Sequence, residues 1–171
     1  MGAFVIAITG TPGTGKSTVA KLLAKRTGWR CVDLNREIVR NGLYSGYDHK
    51  RRSYITDMRR VTIFIRKLVH GERPVIIEGH LSHNLPKEMV DKVFVLRCRT
   101  DVLRKRLERK RWPKAKIDEN VEAEMIGLIA WEAKKKHAHV VELDITRLSP
   151  LTIAVKMEKS LKGRAGTHTA P

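Results

Sequence analysis

Hydrophobic residues in this chain gather in short unbroken runs, separated by longer stretches with helical spacing. Runs of strand length stand at Phe4–Thr9, Trp29–Asp33, Pro74–Glu78, Lys92–Leu96 and His139–Leu143. Unbroken apolar character, in place of alternation, suits parallel strands covered on both faces. Between the runs the pattern predicts helices over Lys16–Gly28, Asn35–Leu43, Asp57–Gly71, Asp101–Lys110, Ile117–Lys136 and Ser149–Lys162. The last carries Ser149 as N-cap and Pro150 at the first helical position. Strands and helices in this order give an α/β fold of three layers, a parallel five-stranded sheet with helices on both faces. One domain over 1–162 accounts for the pattern. The ending "GRAGTHTAP" (163–171) has almost nothing to bury and reads as a flexible tail. Two segments break the alternation: Tyr44–Thr56, polar and dotted with aromatic residues, and the basic run Arg109–Lys116.

A length of 171 residues is enough for one core without disulfides or metal staples. Charge changes the picture more. Lys and Arg number 35 against 18 Asp and Glu, a formal net charge of +17, which points to a polyanionic partner. A heavily ion-paired thermophile surface is the alternative, and the absence of Gln fits it, but paired networks should balance in sign. Between Arg97 and Lys116 there are ten Lys or Arg and two acids, Asp101 and Glu108. Cys31 and Cys98 are too few and too far apart in sequence for a zinc site or disulfide framework. They imply a reducing, cytoplasmic setting and read as small buried fillers. The opening apolar run is shorter than a signal-peptide core, and nothing approaches a membrane span. Ile6 stands where a myristoylation signal wants Ser or Thr. The expectation is a soluble protein with no membrane partner.

The chemistry is announced by Gly10-Thr11-Pro12-Gly13-Thr14-Gly15-Lys16-Ser17, which matches G-x-x-x-x-G-K-[ST] between a predicted strand and a predicted helix. Such a P-loop turns successive N–H groups into one concavity at the positive end of a helix, a cradle for the phosphates of ATP. Gly13, Thr14, Gly15, Lys16, Ser17 and Thr18 are the candidate donor-nucleotide contacts. Lys16 belongs on the β- and γ-phosphates and the Ser17 hydroxyl beside Mg²⁺. The loop fixes the donor and leaves the acceptor open. Ligands of open α/β sheets lie at the carboxyl ends of strands, and "PVIIEG" ends in Glu78, followed by Gly79 and His80. Glu78 could hold Mg²⁺, partly through water, or orient a nucleophile; His80 could aid proton transfer or sense the γ-phosphate. His80 and His83 have metal-like spacing, but with no third ligand in evidence a zinc site is rejected.

The motifs "GTPGTGKST", "LYSGYD" (43–48), "EGH" (78–80), "VFVLRC" (93–98), "RLE" (106–108) and "KIDENVEAE" (116–124) resemble, in order and spacing, the adenylate kinase isoenzyme six family, also known as coilin-interacting nuclear ATPase proteins. The resemblance covers about residues 4–160. It implies a nucleoside monophosphate kinase-like P-loop NTPase fold, with a monophosphate-binding insertion near 31–54 and a short lid near 109–119. It also implies phosphoryl exchange between ATP and AMP or another nucleoside monophosphate, a separate ATPase activity, and a late role in small ribosomal subunit maturation and rRNA 3′-end processing. The implied partners are a small-subunit platform ribosomal protein of the S-eleven family and the pre-ribosomal small subunit with its rRNA. Relatives often show Asp-Tyr-His where this chain has Glu78-Gly79-His80, and Arg-Gly-Tyr or Arg-Gly-Trp where it has Lys110-Arg111-Trp112. The resemblance therefore leaves open which of Arg109, Lys110 and Arg111 touches the transferring phosphate; Arg109 and Lys110 are the catalytic candidates, Lys110 also a nucleotide contact. Asp33, Arg36 and Arg40 are the acceptor candidates. Two other readings stand beside the kinase: an assembly ATPase with incidental kinase activity, and a small-metabolite kinase of the shikimate type with Asp33 on an acceptor hydroxyl.

Overall fold

The computed structural model describes residues 3–71 and 73–161; the predicted tail lies outside them. In chain order the elements are β1 (Val5–Thr9), α1 (Lys16–Thr27), β2 (Arg30–Asp33), α2 (Leu34–Arg40), β3 (Tyr44–Asp48), β4 (Ser53–Thr56), α3 (Met58–Leu68), β5 (Val75–Glu78), β6 (Lys92–Arg97), α4 (Thr100–Arg109), α5 (Lys114–Met125), α6 (Leu128–Lys136), β7 (Val140–Asp144) and α7 (Pro150–Leu161).

The five predicted apolar runs become one parallel sheet in the order β2-β5-β1-β6-β7. β1 sits at its centre with every residue buried. Its side chains alternate between two cores: Ile6 and Ile8 face the layer that holds Leu23, Leu103 and Met157, whereas Val5 and Ala7 face the layer that holds Leu34, Ile65 and Ala133. A strand covered on both sides has no polar face to show, which is why its sequence does not alternate. From β1 the chain crosses to β2 at one edge, and from β5 it crosses to β6 on the other side of β1, so the direction switches beside β1, where the P-loop follows.

Three local readings are corrected. The single helix expected over Ile117–Lys136 is two, α5 and α6, parted at Gly127, whose φ of 69° leaves the helical region. The helix expected over Asn35–Leu43 ends at Arg40, where Asn41 and Gly42 turn the chain. The Tyr44–Thr56 insertion, read as a polar segment dotted with aromatic residues and given no regular element, is an antiparallel hairpin of β3 and β4. The cap of α7 is as predicted: Thr152 N donates to Ser149 Oγ at 3.1 Å. Among the described residues no helix is long and apolar enough to cross a membrane.

Candidate active site

The loop between β1 and α1 is held from below by backbone and from within by Thr14, whose hydroxyl donates to the Thr11 carbonyl at 2.8 Å. Gly10, with φ 140°, lies so close to β6 that a Cβ there would come within 2.4 Å of the Leu96 carbonyl oxygen. Gly13 and Gly15 also take positive φ, 96° and 86°. Helix α1 starts on Gly15 with no side-chain cap and no acid in its first turn. Its leading N–H groups and positive end are thus left for an anionic ligand.

Lys16 is buried at the base of this loop, donating to the carbonyls of Gly10 (2.8 Å) and Thr11 (3.1 Å). Burial lowers its pKa from 10.5 to about 8, while the Glu78 carboxylate pulls it upward. Glu78 closes β5 and is itself buried; desolvation raises its pKa, opposed first by a hydrogen bond from Ser17 and then by the charge of Lys16. A serine hydroxyl and a carboxylate in contact beside the loop are hard oxygen donors, the set that suits Mg²⁺. His80 lies just beyond; burial and the charge of Lys16 lower its pKa to about 4, so it is a neutral imidazole at pH 7. His83 turns away from this site: its Nδ1 meets Thr9 Oγ1 and its Nε2 meets Glu132 Oε2, both at 2.9 Å.

Two cavities flank the loop. The first, about 430 Å³, is bounded by Gly13, Thr14, Gly15 and Thr18 on one side and by Arg106, Arg109, Lys110, Ile145, Leu148 and Pro150 on the other. The second, about 610 Å³, holds Lys16, Ser17, Glu78 and His80 on its floor, with Asn35, Arg51, Ser53, Trp112, Lys116, Glu119 and Asn120 around its mouth. Gly13, Gly15, Thr18 and Lys110 line both. Across the larger mouth Lys116 Nζ lies 4.5 Å from the Trp112 ring centroid and donates to the Arg51 carbonyl at 3.2 Å, while Arg51 Nε stands 3.6 Å from Glu119. The basic segment and the hairpin therefore touch.

Of the sequence candidates, the fold gathers Gly13, Thr14, Gly15, Lys16, Ser17, Thr18, Glu78, His80, Arg109 and Lys110 around these two cavities. Asp33, Arg36 and Arg40 do not line either. Asp33 caps α2 by accepting from Arg36 N at 3.0 Å, and Arg36 and Arg40 are exposed on that helix. The larger cavity draws instead on Asn35 at the start of α2 and on Arg51 and Ser53, which the hairpin brings to its mouth. A further residue without an assigned part is Glu124. Only 2% exposed, it accepts from Thr11 Oγ1 (2.5 Å), Arg97 Nε (2.8 Å) and Cys98 N (3.0 Å), and so ties the P-loop to β6 and α5. Its spacing from Asn120 and Lys116 on one helical face was visible in the sequence; its distant partners were not. The cation-rich stretch from Arg97 to Lys116 is also less free than its composition suggests, since Arg97 pairs with Glu124 and Glu142, Arg99 with Asp101, and Arg104 with Asp118. Cys98 is buried as expected, whereas Cys31 is half-buried against the same core; burial pushes both thiols up to about 11.

A profile of the family described as "AAA domain" matches residues 6–127. The proteins named "Putative adenylate kinase" from Methanocaldococcus jannaschii and Natronomonas pharaonis are 34% and 38% identical to this chain. The first match covers 92% of this chain and 89% of that protein, the second 92% and 90%. Among solved structures, shikimate kinase from Acinetobacter baumannii in complex with shikimate superposes with a TM-score of 0.69 at 16% identity, covering 95% of both chains, a likeness of fold. Sequence identity over nearly the whole chain, carried on a P-loop kinase fold, places the protein: it belongs to the adenylate kinase-like family of these archaeal relatives.

Proposed function

We propose that the protein is a nucleoside monophosphate kinase, passing the γ-phosphoryl group of ATP to AMP or a similar monophosphate. The observation that carries the reading is the shared wall: one P-loop, with Lys110 facing it, borders two cavities, so donor and acceptor can approach the same point from opposite sides. An oxygen of the acceptor phosphate bonds to the γ-phosphorus as the bond from that phosphorus to the bridging oxygen of ADP breaks. Little covalent work is left to the protein, which positions the groups and meets their charge. Lys16 exchanges the Gly10 and Thr11 carbonyls for phosphate oxygens. Arg109 serves the donor side and Lys110 the seam. Asn35, Arg51 and Ser53 support acceptor binding by position, and Asp33, Arg36 and Arg40 retain only an indirect part through α2. Ser17 and Glu78 are the residues that would hold Mg²⁺, partly through water, and its charge would offset that of the phosphates.

ATP hydrolysis is the second activity we infer. A neutral His80 beside Lys16 can accept a hydrogen bond from water, which, unlike an acceptor phosphate, must be positioned. The motif resemblance extends the proposal to a cytoplasmic protein of the adenylate kinase isoenzyme six type, acting with an S-eleven ribosomal protein on the pre-ribosomal small subunit and its rRNA. The test measures ADP formation from ATP plus AMP, phosphate release from ATP alone, and transfer to shikimate, with and without that ribosomal protein. AMP-dependent ADP formation supports the kinase. Phosphate release alone, stimulated by the ribosomal protein, would replace it with the assembly ATPase, and transfer to shikimate with the small-metabolite kinase.

A further inference from the structure

The hairpin has a second face. In an antiparallel pair, residues opposite one another share a face, and the register sets Tyr47 opposite Tyr54 and Asp48 opposite Ser53. Ser53 lines the larger cavity, so the tyrosines belong to the side turned away from it. Tyr44, three residues before Tyr47, would fall on the wrong side of a regular strand. The register shift between Tyr44 and Gly46 inserts Ser45 as an extra residue and sets Tyr44 opposite Thr56, on the face of Tyr54. A continuous aromatic row results. Ring centroids are 4.3 Å apart for Tyr44 and Tyr54, 5.1 Å for Tyr54 and Tyr47, and 5.1 Å for Tyr47 and His49. Tyr44 anchors the row against the core, while Tyr47 and Tyr54 keep 42% and 41% of their surface exposed.

Charge surrounds this row. The turn carries exposed Lys50 and Arg52, and α3 adds exposed Arg59 and Arg60, the latter with Nη1 3.4 Å from the Tyr44 carbonyl. Among the described residues none of these four is ion-paired with a carboxylate. The nearby acids serve backbone: Asp48 accepts from Arg51 N, and Asp57 from Arg59 N and Arg60 N. Exposed rings beside cations that no carboxylate holds in a salt bridge, in a chain of net charge +17, match the needs of bases that stack and phosphates that must be neutralised.

We propose that the outer face of the β3–β4 hairpin is a binding platform for single-stranded nucleic acid, its bases stacking on Tyr47 and Tyr54 and its backbone following Lys50, Arg52, Arg59 and Arg60. The surface is separate from the nucleotide cavities, so the proposal stands whether or not the kinase reading does. Cross-strand rings also hold a hairpin together, and the experiment separates the two roles.

Fluorescence anisotropy with labelled oligoadenylate and oligouridylate RNA of about 12 nucleotides, within the range of one stacking surface, is measured for wild type, the pair Tyr47→Phe with Tyr54→Phe, and the pair Tyr47→Leu with Tyr54→Leu. The Phe pair should bind as wild type does. The Leu pair should bind on the order of tenfold or more weakly, since each lost stack removes a base contact. If the Leu pair is misfolded by circular dichroism, Lys50→Gln with Arg52→Gln decides: the log–log salt slope should flatten by about 0.7 per contact removed. Inorganic polyphosphate and poly-glutamate are the competitors. Equal binding by the folded Leu pair, an unchanged salt slope in the charge variant, displacement by polyphosphate as effective as by unlabelled RNA, or tighter capture of poly-glutamate would each overturn the proposal.

Discussion

Replacing Lys16 by Met removes the charge on which phosphate binding depends and should leave the ligand-free fold no less stable. Lys16 is 7% exposed, and its pKa is lowered from 10.5 to about 8, chiefly by desolvation. At about 1.4 kcal/mol per pKa unit, keeping it charged at neutral pH costs about 3 kcal/mol. Its hydrogen bonds to Gly10 and Thr11 return about 1 kcal/mol each. The Met variant should therefore melt at the wild-type temperature or about 2–4 °C above it at pH 7. The pH profile is the sharper readout. Because the folded pKa lies below the unfolded one, the unfolded chain binds the extra proton between pH 8 and pH 10.5. The cost is full below pH 8 and is relieved as pH rises through that window, so wild type gains on the variant by up to about 3 kcal/mol. Calorimetric melts of both proteins at pH 7, 8, 9 and 10 measure this difference directly. ATP with Mg²⁺ should raise the melting temperature of wild type alone. A difference that stays constant across pH, or a variant that melts more than about 5 °C lower at pH 7, would refute the buried-charge reasoning.

Gly10→Ala should abolish folding or cost more than about 4 kcal/mol, because the new Cβ meets the Leu96 carbonyl at 2.4 Å and backbone cannot step aside; expression and calorimetry check it. Glu124→Ala leaves Arg97 Nε, the Thr11 hydroxyl and Cys98 N without their acceptor, Arg97 keeping Glu142. A loss of about 3 kcal/mol is expected, with weaker nucleotide binding by titration calorimetry; a melting temperature within about 2 °C of wild type would contradict it. Ser17→Ala should raise the Mg²⁺ concentration needed for half-maximal ADP formation, with partial rescue at high Mg²⁺. His80→Gly should lower phosphate release from ATP by more than it lowers ADP formation from ATP and AMP, and an equal loss of both would deny His80 a part in placing water.

The sequence alone determined the strands of the sheet and the phosphate cradle, because both depend on chemistry local in the chain. Short unbroken apolar runs such as Pro74–Glu78, flanked by helical spacing, suit strands of a covered parallel sheet, and the glycine spacing from Gly10 to Gly15 specifies a loop conformation that few other residues can adopt. Glu78 and His80 were legible for the same reason, since the end of a buried strand states its own address. What lay outside the sequence is everything that depends on residues far apart meeting. Asp33, Arg36 and Arg40 follow a strand end in sequence, yet the carboxylate caps its own helix and the arginines face outward, while Arg51 and Ser53 reach the larger cavity because a hairpin folds over it. Glu124 closes a signature legible in the sequence, but its part as acceptor for Thr11, 113 residues earlier, is visible only in the fold. The row of tyrosines likewise depends on one extra residue in β3, a register shift that no periodicity along a single strand can reveal. Local dihedral preference and burial pattern are written in consecutive residues; pairing across the sheet, register and the closing of a cavity are set by the free energy of the whole fold.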